Sequence, residues 1–210
     1  MRTIKVQGNG EASLPADTVR FTFQIQSERT IYGDCVEELN NRVDLLRADL
    51  AKCGIERNEV KTSGFNVTIN QKYENGRYHF IGYKAWHGLF LEIPFSQTAL
   101  NTALNTIASG NSNSSVSIAF SCNDKELLKK MVLEDAVHKA RRNAEIMAAA
   151  AGVALGELLT MDYGWNEVRF YSGETDMVCC EAEEAFSPGP DIEPDDIKAG
   201  DRVTLVYEIH

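Results

Sequence analysis

The residues with the most reactive chemistry are two adjacent cysteines, Cys179 and Cys180, which we expect at the surface. A nearby carboxylate such as Glu181 disfavours the thiolate that would have to act. The pair also lacks the two-residue spacer of thioredoxin-like motifs, so it does not predict a disulfide exchanger. A redox or soft-metal role for Cys179 and Cys180 is kept as an alternative.

A single histidine, His87, is in register with the apolar residues of its predicted strand. This position directs it at the core or at a partner, where a lone histidine is usually a hydrogen-bonded packing residue. The other three histidines show no metal-ligand spacing with it or with each other (His79, His138 and His210). We therefore predict no catalytic residues, no metal ligands and no cofactor.

Two further segments resemble binding motifs only in part. Residues 191–196 read Asp-Ile-Glu-Pro-Asp-Asp, which lacks the ligand spacing and turn glycine of an EF-hand calcium loop and favours a solvated acidic loop. Residues 8–10 read Gly-Asn-Gly after a strand, but no third glycine follows and no helix begins there. They cannot form a dinucleotide cradle, and we predict a turn between strands.

Charge is unevenly distributed along this chain of 210 residues, whose net charge is −10. Residues 165–200 carry ten acids against Arg169 and Lys198, a net charge of −8. Nucleic acid is excluded as a partner, because phosphate binding needs a basic face. No apolar run approaches the roughly 20 residues of a transmembrane helix. As written, the chain has no signal peptide and is expected in the cytoplasm; a removed leader would place it in the periplasm or outside the cell.

Cysteine usage points to a reducing compartment. Five cysteines cannot all pair internally. Cys35 and Cys53 lie on the apolar stripe of a predicted helix and Cys122 on the apolar side of a predicted strand, where thiols act as small buried hydrophobes.

Hydrophobic periodicity predicts the elements and their order. Alternating apolar residues predict strands, and three segments with apolar residues three and four apart predict helices. The order is β-β-α-β-β-α-β-α-β, then an irregular acidic excursion at 165–200, then β. Hairpins and half-buried strands favour the α+β class. We predict a mainly antiparallel sheet with three helices packed on one face, and a single domain over residues 1–210. The third helix, 123–151, presents a row of alanines at Ala136, Ala140, Ala144 and Ala148.

Several short motifs, spread over nearly the whole chain, resemble one family when they are taken together. They are Val6–Gly10, Pro15–Asp17, Lys61-Thr62, Gly82–Ala85, and the alanine helix followed by Gly152 and Leu155–Glu157. In their order and spacing the chain resembles the SIMPL-domain family, which includes bacterial periplasmic immunogenic proteins and oxidative-stress-associated proteins. The resemblance implies an α+β fold, no established enzymatic activity, frequent export, and assembly of some members into rings or larger oligomers. The missing leader and the acidic excursion depart from the family pattern.

Two kinds of function are compatible with these observations. The preferred hypothesis is a non-enzymatic binding or assembly protein that forms a homo-oligomer through sheet edges and the acidic excursion, with a possible protein partner and a stress- or envelope-related role. The alternative is a metal- or thiol-dependent protein or enzyme with a site between the 165–200 excursion and the sheet, using Cys179, Cys180 and His87. The alanine helix also carries a basic cluster of Lys139, Arg141 and Arg142. We expect these side chains to be exposed to solvent on the polar face of the helix. The other possibility is that they contact the acidic excursion of a neighbouring subunit.

Overall fold

The computed structural model describes residues 2–163, 175–177 and 191–210. Its elements follow the predicted order and confirm the α+β class. They are β1 Arg2–Leu14, β2 Thr18–Arg29, α1 Tyr32–Lys52, β3 Lys61–Glu74, β4 Arg77–Pro94, α2 Gln97–Ala108, β5 Ser115–Ser121, α3 Lys125–Ala150, β6 Leu155–Tyr163, β7 Thr175–Met177 and β8 Ile197–Ile209.

The strands are divided between two sheets, where the sequence predicts one. One sheet has the order β1-β8-β6 and the other has the order β3-β4-β2-β5-β7. Alternation within a strand shows which face is buried, but it does not show which strands pair, so the division was not readable from periodicity. The chain groups accordingly into two compact units, and one domain over residues 1–210 stays a prediction.

The first unit comprises residues 1–16, 121–172 and 194–210. In its sheet β8 pairs antiparallel with both β1 and β6, and α3 packs on β1 and β8. The predicted alanine row is confirmed as buried: Ala136, Ala140 and Ala144 are fully enclosed against Val6 and Leu205. Because an alanine side chain is short, the helix axis can lie unusually close to the sheet.

Residues 8–10 are not the predicted turn, and that prediction was wrong. They lie inside β1, which runs without a break from Arg2 to Leu14. A Cβ on Gly8 would overlap the carbonyl oxygen of Ala136, and a Cβ on Gly10 would overlap that of Val132. The two glycines are therefore present because the α3 backbone touches the strand, and not because the chain bends.

The second unit comprises residues 17–120 and 173–193. Its sheet buries Phe21 and Phe23 of β2 beside Leu89 and Leu91 of β4, and the apolar stripes of α1 and α2 complete this core. A face buried in this way alternates with an opposite face that carries polar residues, as the sequence of β2 predicts. Leu39, Leu46 and Leu50 of α1 and Leu100 of α2 are fully buried there.

Local sequence signals account for the ends of several elements. Asn75 and Gly76 form the β3–β4 turn with φ of 51° and 77°, and Ser96 caps α2 by accepting a hydrogen bond from the Ala99 N–H at 3.1 Å. The carboxylate of Asp124 caps α3 by accepting a hydrogen bond from the Leu127 N–H at 2.8 Å.

The predicted excursion at 165–200 is described only in part. Residues 175–177 form β7, which pairs with Val116–Ile118 of β5, and residues 197–200 belong to β8. Residues 191–196 have no regular secondary structure. Cys179 and Cys180 lie outside the described residues, so the thiol alternative is not tested here.

Replacing Gly10 with alanine tests the contact between β1 and α3. Because the new methyl group must displace helix backbone, we expect a loss of about 2–3 kcal/mol in the free energy of unfolding, measured by urea denaturation. Gly33→Ala is the matched control: Gly33 is exposed in α1 and has no atom within 4 Å of an added Cβ. It should be neutral or stabilising. Equal stability of the two variants would contradict the close contact.

Candidate interaction surface

The β3–β4 hairpin extends well beyond its neighbouring strand. β2 pairs with β4 only from Tyr83 to Pro94, whereas the β3–β4 pairing continues from Asn70↔Gly82 to Glu74↔Arg77. Residues 70–82 therefore form a two-stranded extension, called the hairpin arm below. The Asn-Gly turn sets the end of the arm, and the longer strands of the hairpin carry it past β2.

Exposed aromatic side chains line the hairpin arm and its base. Tyr73 and Tyr78 are 63% and 71% exposed, with ring centroids 5.0 Å apart, and Phe80 is 56% exposed. Phe80 in turn meets the ring of Tyr83, which meets Tyr32 of α1, at 5.4 and 5.5 Å. These edge-on and tilted contacts are favourable geometries for aromatic pairs. A continuous exposed apolar row of this kind is typical of an interaction surface.

The free edge of β3 adjoins the hairpin arm. β3 is the outermost strand of its sheet, and Phe65 and Ile69 on it are 51% and 60% exposed. No charged residue and no proline occurs from Thr62 to Gln71. Between register shifts at Thr62/Gly64 and Asn70/Gln71 the pairing of β3 with β4 is regular. Natural proteins usually protect a sheet edge with charges, prolines or bulges, so this long uncharged edge is suited to pair with another strand.

The outer strand β1 of the other sheet is protected by side chains of α3. The amide nitrogen of Asn143 donates to the Gln7 carbonyl at 3.0 Å, and the Glu11 N–H donates to the Asp135 carboxylate at 2.8 Å. A hydrogen bond from Lys139, and then the one from Glu11, hold the pKa of Asp135 below its ordinary value. Two backbone groups of β1 that a partner strand would use are thereby occupied.

His87 lies on the helix-covered face of β4 and is half-buried. Its Nε2 is 3.0 Å from the Thr62 hydroxyl, and its ring meets Phe65 edge-on at 5.6 Å. Burial, and then the charge of Arg47, lower the pKa of His87. A hydroxyl–histidine pair needs a third group that orients the ring before it can act as nucleophile and base. Among the residues that the structure describes, none forms a hydrogen bond with Nδ1 of His87. The arrangement agrees with a packing role.

Comparison with known proteins now identifies the family. The model of the SIMPL family, described as a protein of unknown function (DUF541), matches residues 4–207. The chain belongs to the SIMPL family. Among curated proteins, none matches this SIMPL protein. Two of the motifs that carried the resemblance meet in the structure, since the Val6–Gly10 segment lies against the alanine row of α3.

The other predicted positions in the SIMPL protein do not come together as a site. Cys35 and Cys122 are buried as predicted, whereas Cys53 is only half-buried, and its thiol donates to the Thr106 hydroxyl at 3.0 Å. In the basic cluster, Lys139 pairs with Asp135 and Arg141 with Glu145 within α3. Over the described ranges, no three His, Cys, Asp or Glu side chains are grouped so that they could hold a metal ion. No described helix is long and apolar enough to cross a membrane.

The aromatic row on the hairpin arm was missed by the sequence analysis. A signal was present, since Tyr73, Tyr78 and Phe80 surround the Asn-Gly turn. Only the pairing register shows that the two strands of the hairpin continue past the end of β2, so that β2 does not reach the arm.

The lowered pKa of His87 predicts a pH dependence of stability. The unfolded chain binds a proton near the ordinary value of 6.5 while the folded chain does so only at lower pH, so the free energy of unfolding should fall as pH drops below about 6.5. Urea denaturation from about pH 7.5 to about pH 5.5 measures this decline. His87→Gln should reduce it, and an unchanged decline in the variant would contradict the assignment.

Proposed function

We propose that this SIMPL protein is a non-enzymatic binding and assembly module that forms a homo-oligomer through the β3 edge and the hairpin arm. The observation that supports it best is the exposed edge strand, uncharged from Thr62 to Gln71 and continuous with the aromatic row. A strand of this kind attracts another strand unless it is covered, and a second copy of the chain always offers an identical one. A stress- or envelope-related setting is carried by the family resemblance alone.

Antiparallel pairing of β3 with its copy accounts for the pattern of side chains. A two-fold axis perpendicular to the sheet would join two five-stranded sheets edge to edge and keep the helix-covered face on the same side in both copies. Residues opposite each other in such a pair point to the same face. Phe65 and Ile69 lie on that face of β3, so the four side chains of the two copies would meet and become buried. The outer half of β3 would then lie beside the first residues of the partner strand.

The pairing also explains why β3 and β1 differ. The α3 side chains Asp135 and Asn143 occupy backbone groups of β1, whereas β3 packs extensively only against β4 among the described elements. Main-chain hydrogen bonds would supply affinity at β3, and the aromatic side chains of the arm would supply specificity. The metal- or thiol-dependent alternative has no grouping of ligands to support it within the described residues.

Ile69→Lys tests the assembly at the centre of the proposed interface. A lysine there would have to lose its hydration among the apolar side chains that the pairing buries, and we expect the dissociation constant of the oligomer to rise by at least about tenfold. Light scattering coupled to gel filtration, at concentrations up to tens of micromolar, measures the mass. Folding should not suffer, because Ile69 is 60% exposed.

Ile146→Lys is the matched control for this experiment. Ile146 is 57% exposed on α3, so the same substitution adds the same charge to an exposed position that belongs neither to β3 nor to the hairpin arm. The control should keep the mass of the unmodified protein. A strictly monomeric unmodified protein, or equal dissociation in the two variants, would defeat the assembly proposal.

A further inference from the structure

The face of the β3-β4-β2-β5-β7 sheet that is turned away from its core carries a distinct group of residues around Trp86. The pairing register places Trp86 of β4 between Gln26 of β2 and Asn66 of β3. The next position on the same face of β4 is Gly88, between Gln24 and Gly64. Three amide side chains and two glycines therefore surround one indole.

The indole of Trp86 lies across the two glycines. A Cβ on Gly64 would be 2.8 Å from Cζ3 of the ring, and a Cβ on Gly88 would be 2.8 Å from Cζ2. The six-membered part of the ring thus covers both positions, and a side chain at either would displace it. Covering glycines in this way supports the sheet. It also fixes the ring along the surface, and Trp86 is only half-buried, so part of the indole is exposed to solvent.

The surroundings of the indole are polar and electrically balanced. Gln24, Gln26 and Asn66 are exposed, and each amide both donates and accepts hydrogen bonds. Two ion pairs lie at the two ends of this face. Lys84 lies 3.2 Å from Glu28, and Arg20 lies 3.3 Å from Glu92. Lys61, opposite Phe90 in the register, adds an exposed cation at the Arg20 end, away from the indole.

At one end of this face, Phe90 is covered by a cation. The Arg20 guanidinium lies 4.2 Å from the centroid of the Phe90 ring. The face of the Phe90 ring is therefore covered by a side chain of the neighbouring strand β2. Trp86 is left as the aromatic ring that a ligand can reach among its neighbours in this row.

We propose that Trp86, with Gln24, Gln26 and Asn66, forms a binding site for a neutral carbohydrate. A sugar ring presents a flat face of C–H groups, which packs on an aromatic ring, and a rim of hydroxyls that donate and accept hydrogen bonds, which amides match. Beside the indole the register places amides and glycines, and the nearest cation along β4, Lys84, is paired with Glu28, so an anionic ligand is not favoured there. The net charge of −10 disfavours nucleic acid. An extended peptide would use a sheet edge, as β3 offers, and not a sheet face.

This inference does not depend on the proposed assembly. The side chains that would meet in a β3 pair, Phe65 and Ile69, lie on the opposite face of the sheet from Trp86, because they pair with His87 and Tyr83 in the register. A protein that fails to oligomerise can still bind sugar here, and the reverse also holds.

Tryptophan fluorescence of the full chain tests the site. A Trp165→Phe background leaves Trp86 as the fluorophore, since the chain has two tryptophans. Titration with cellohexaose, maltohexaose and chitohexaose should change the emission with at least one probe, with a dissociation constant of roughly 0.01–1 mM. Calorimetry in the natural sequence should give the same affinity, and Trp86→Ala should weaken it by at least about tenfold.

Two amide variants keep the test decisive even where Trp86→Ala impairs folding. Asn66→Ala removes an exposed amide beside the indole and should weaken binding severalfold without changing the thermal midpoint. Gln71→Ala removes an exposed amide from the same strand, within the hairpin arm, and should leave affinity unchanged.

Four results would overturn the carbohydrate site. The first is that the folded protein binds none of the three probes, and the second is that Asn66→Ala and Gln71→Ala change the affinity equally. The third is that dextran sulfate binds more tightly than the neutral probes in a salt-dependent way, which would indicate recognition of charge. The fourth is that Trp86→Ala lowers the oligomer mass while sugar titrations show no binding, which would make this face a contact between copies.

Discussion

The contact between the backbone of β1 and the backbone of α3 is the constraint on which the first unit depends. Gly8 and Gly10 have no side chain, and Ala136 and Ala140 have a short one, so a strand and a helix meet with almost nothing between them. Close approach increases the number of dispersion contacts and leaves no room for substitution. It also brings Asp135 and Asn143 near enough to bond the edge of β1.

The two sheets therefore differ at two of their outer strands, β1 and β3. At β1 the helix that forms the core also satisfies the free edge with its own side chains. In the second sheet the helices α1 and α2 cover one face, and no described strand other than β4 pairs with β3, whose outer edge lies beside the aromatic hairpin arm. An uncovered uncharged strand persists in a natural protein only where aggregation is controlled or a specific partner takes the edge. The assembly proposal follows from this difference between two strands of one chain.

The faces of β4 also serve separate purposes. Ala85, Leu89 and His87 point toward the helices, where burial and the Thr62 hydroxyl hold His87 in place. The alternate residues point away, where Trp86 lies over two glycines. Period-two alternation makes this possible, because one strand contributes to a core and to an exposed surface at once. In the part of this SIMPL protein that the structure describes, one sheet thus combines a core face, an exposed face and an exposed edge.

The amino-acid sequence by itself determined the class, the order of elements, the buried alanine row and the turn at Asn75-Gly76, since each depends on periodicity or on local backbone preference. Tertiary structure alone decided what depends on pairing between distant segments. The division into two sheets, the placement of Gly8 and Gly10 within a strand, and the projection of the hairpin arm are all of this kind. The position of Trp86 over Gly64 is another. Periodicity determines which face of a strand each side chain lies on, but it does not determine which strand pairs with it, because many pairings bury the same apolar face equally well.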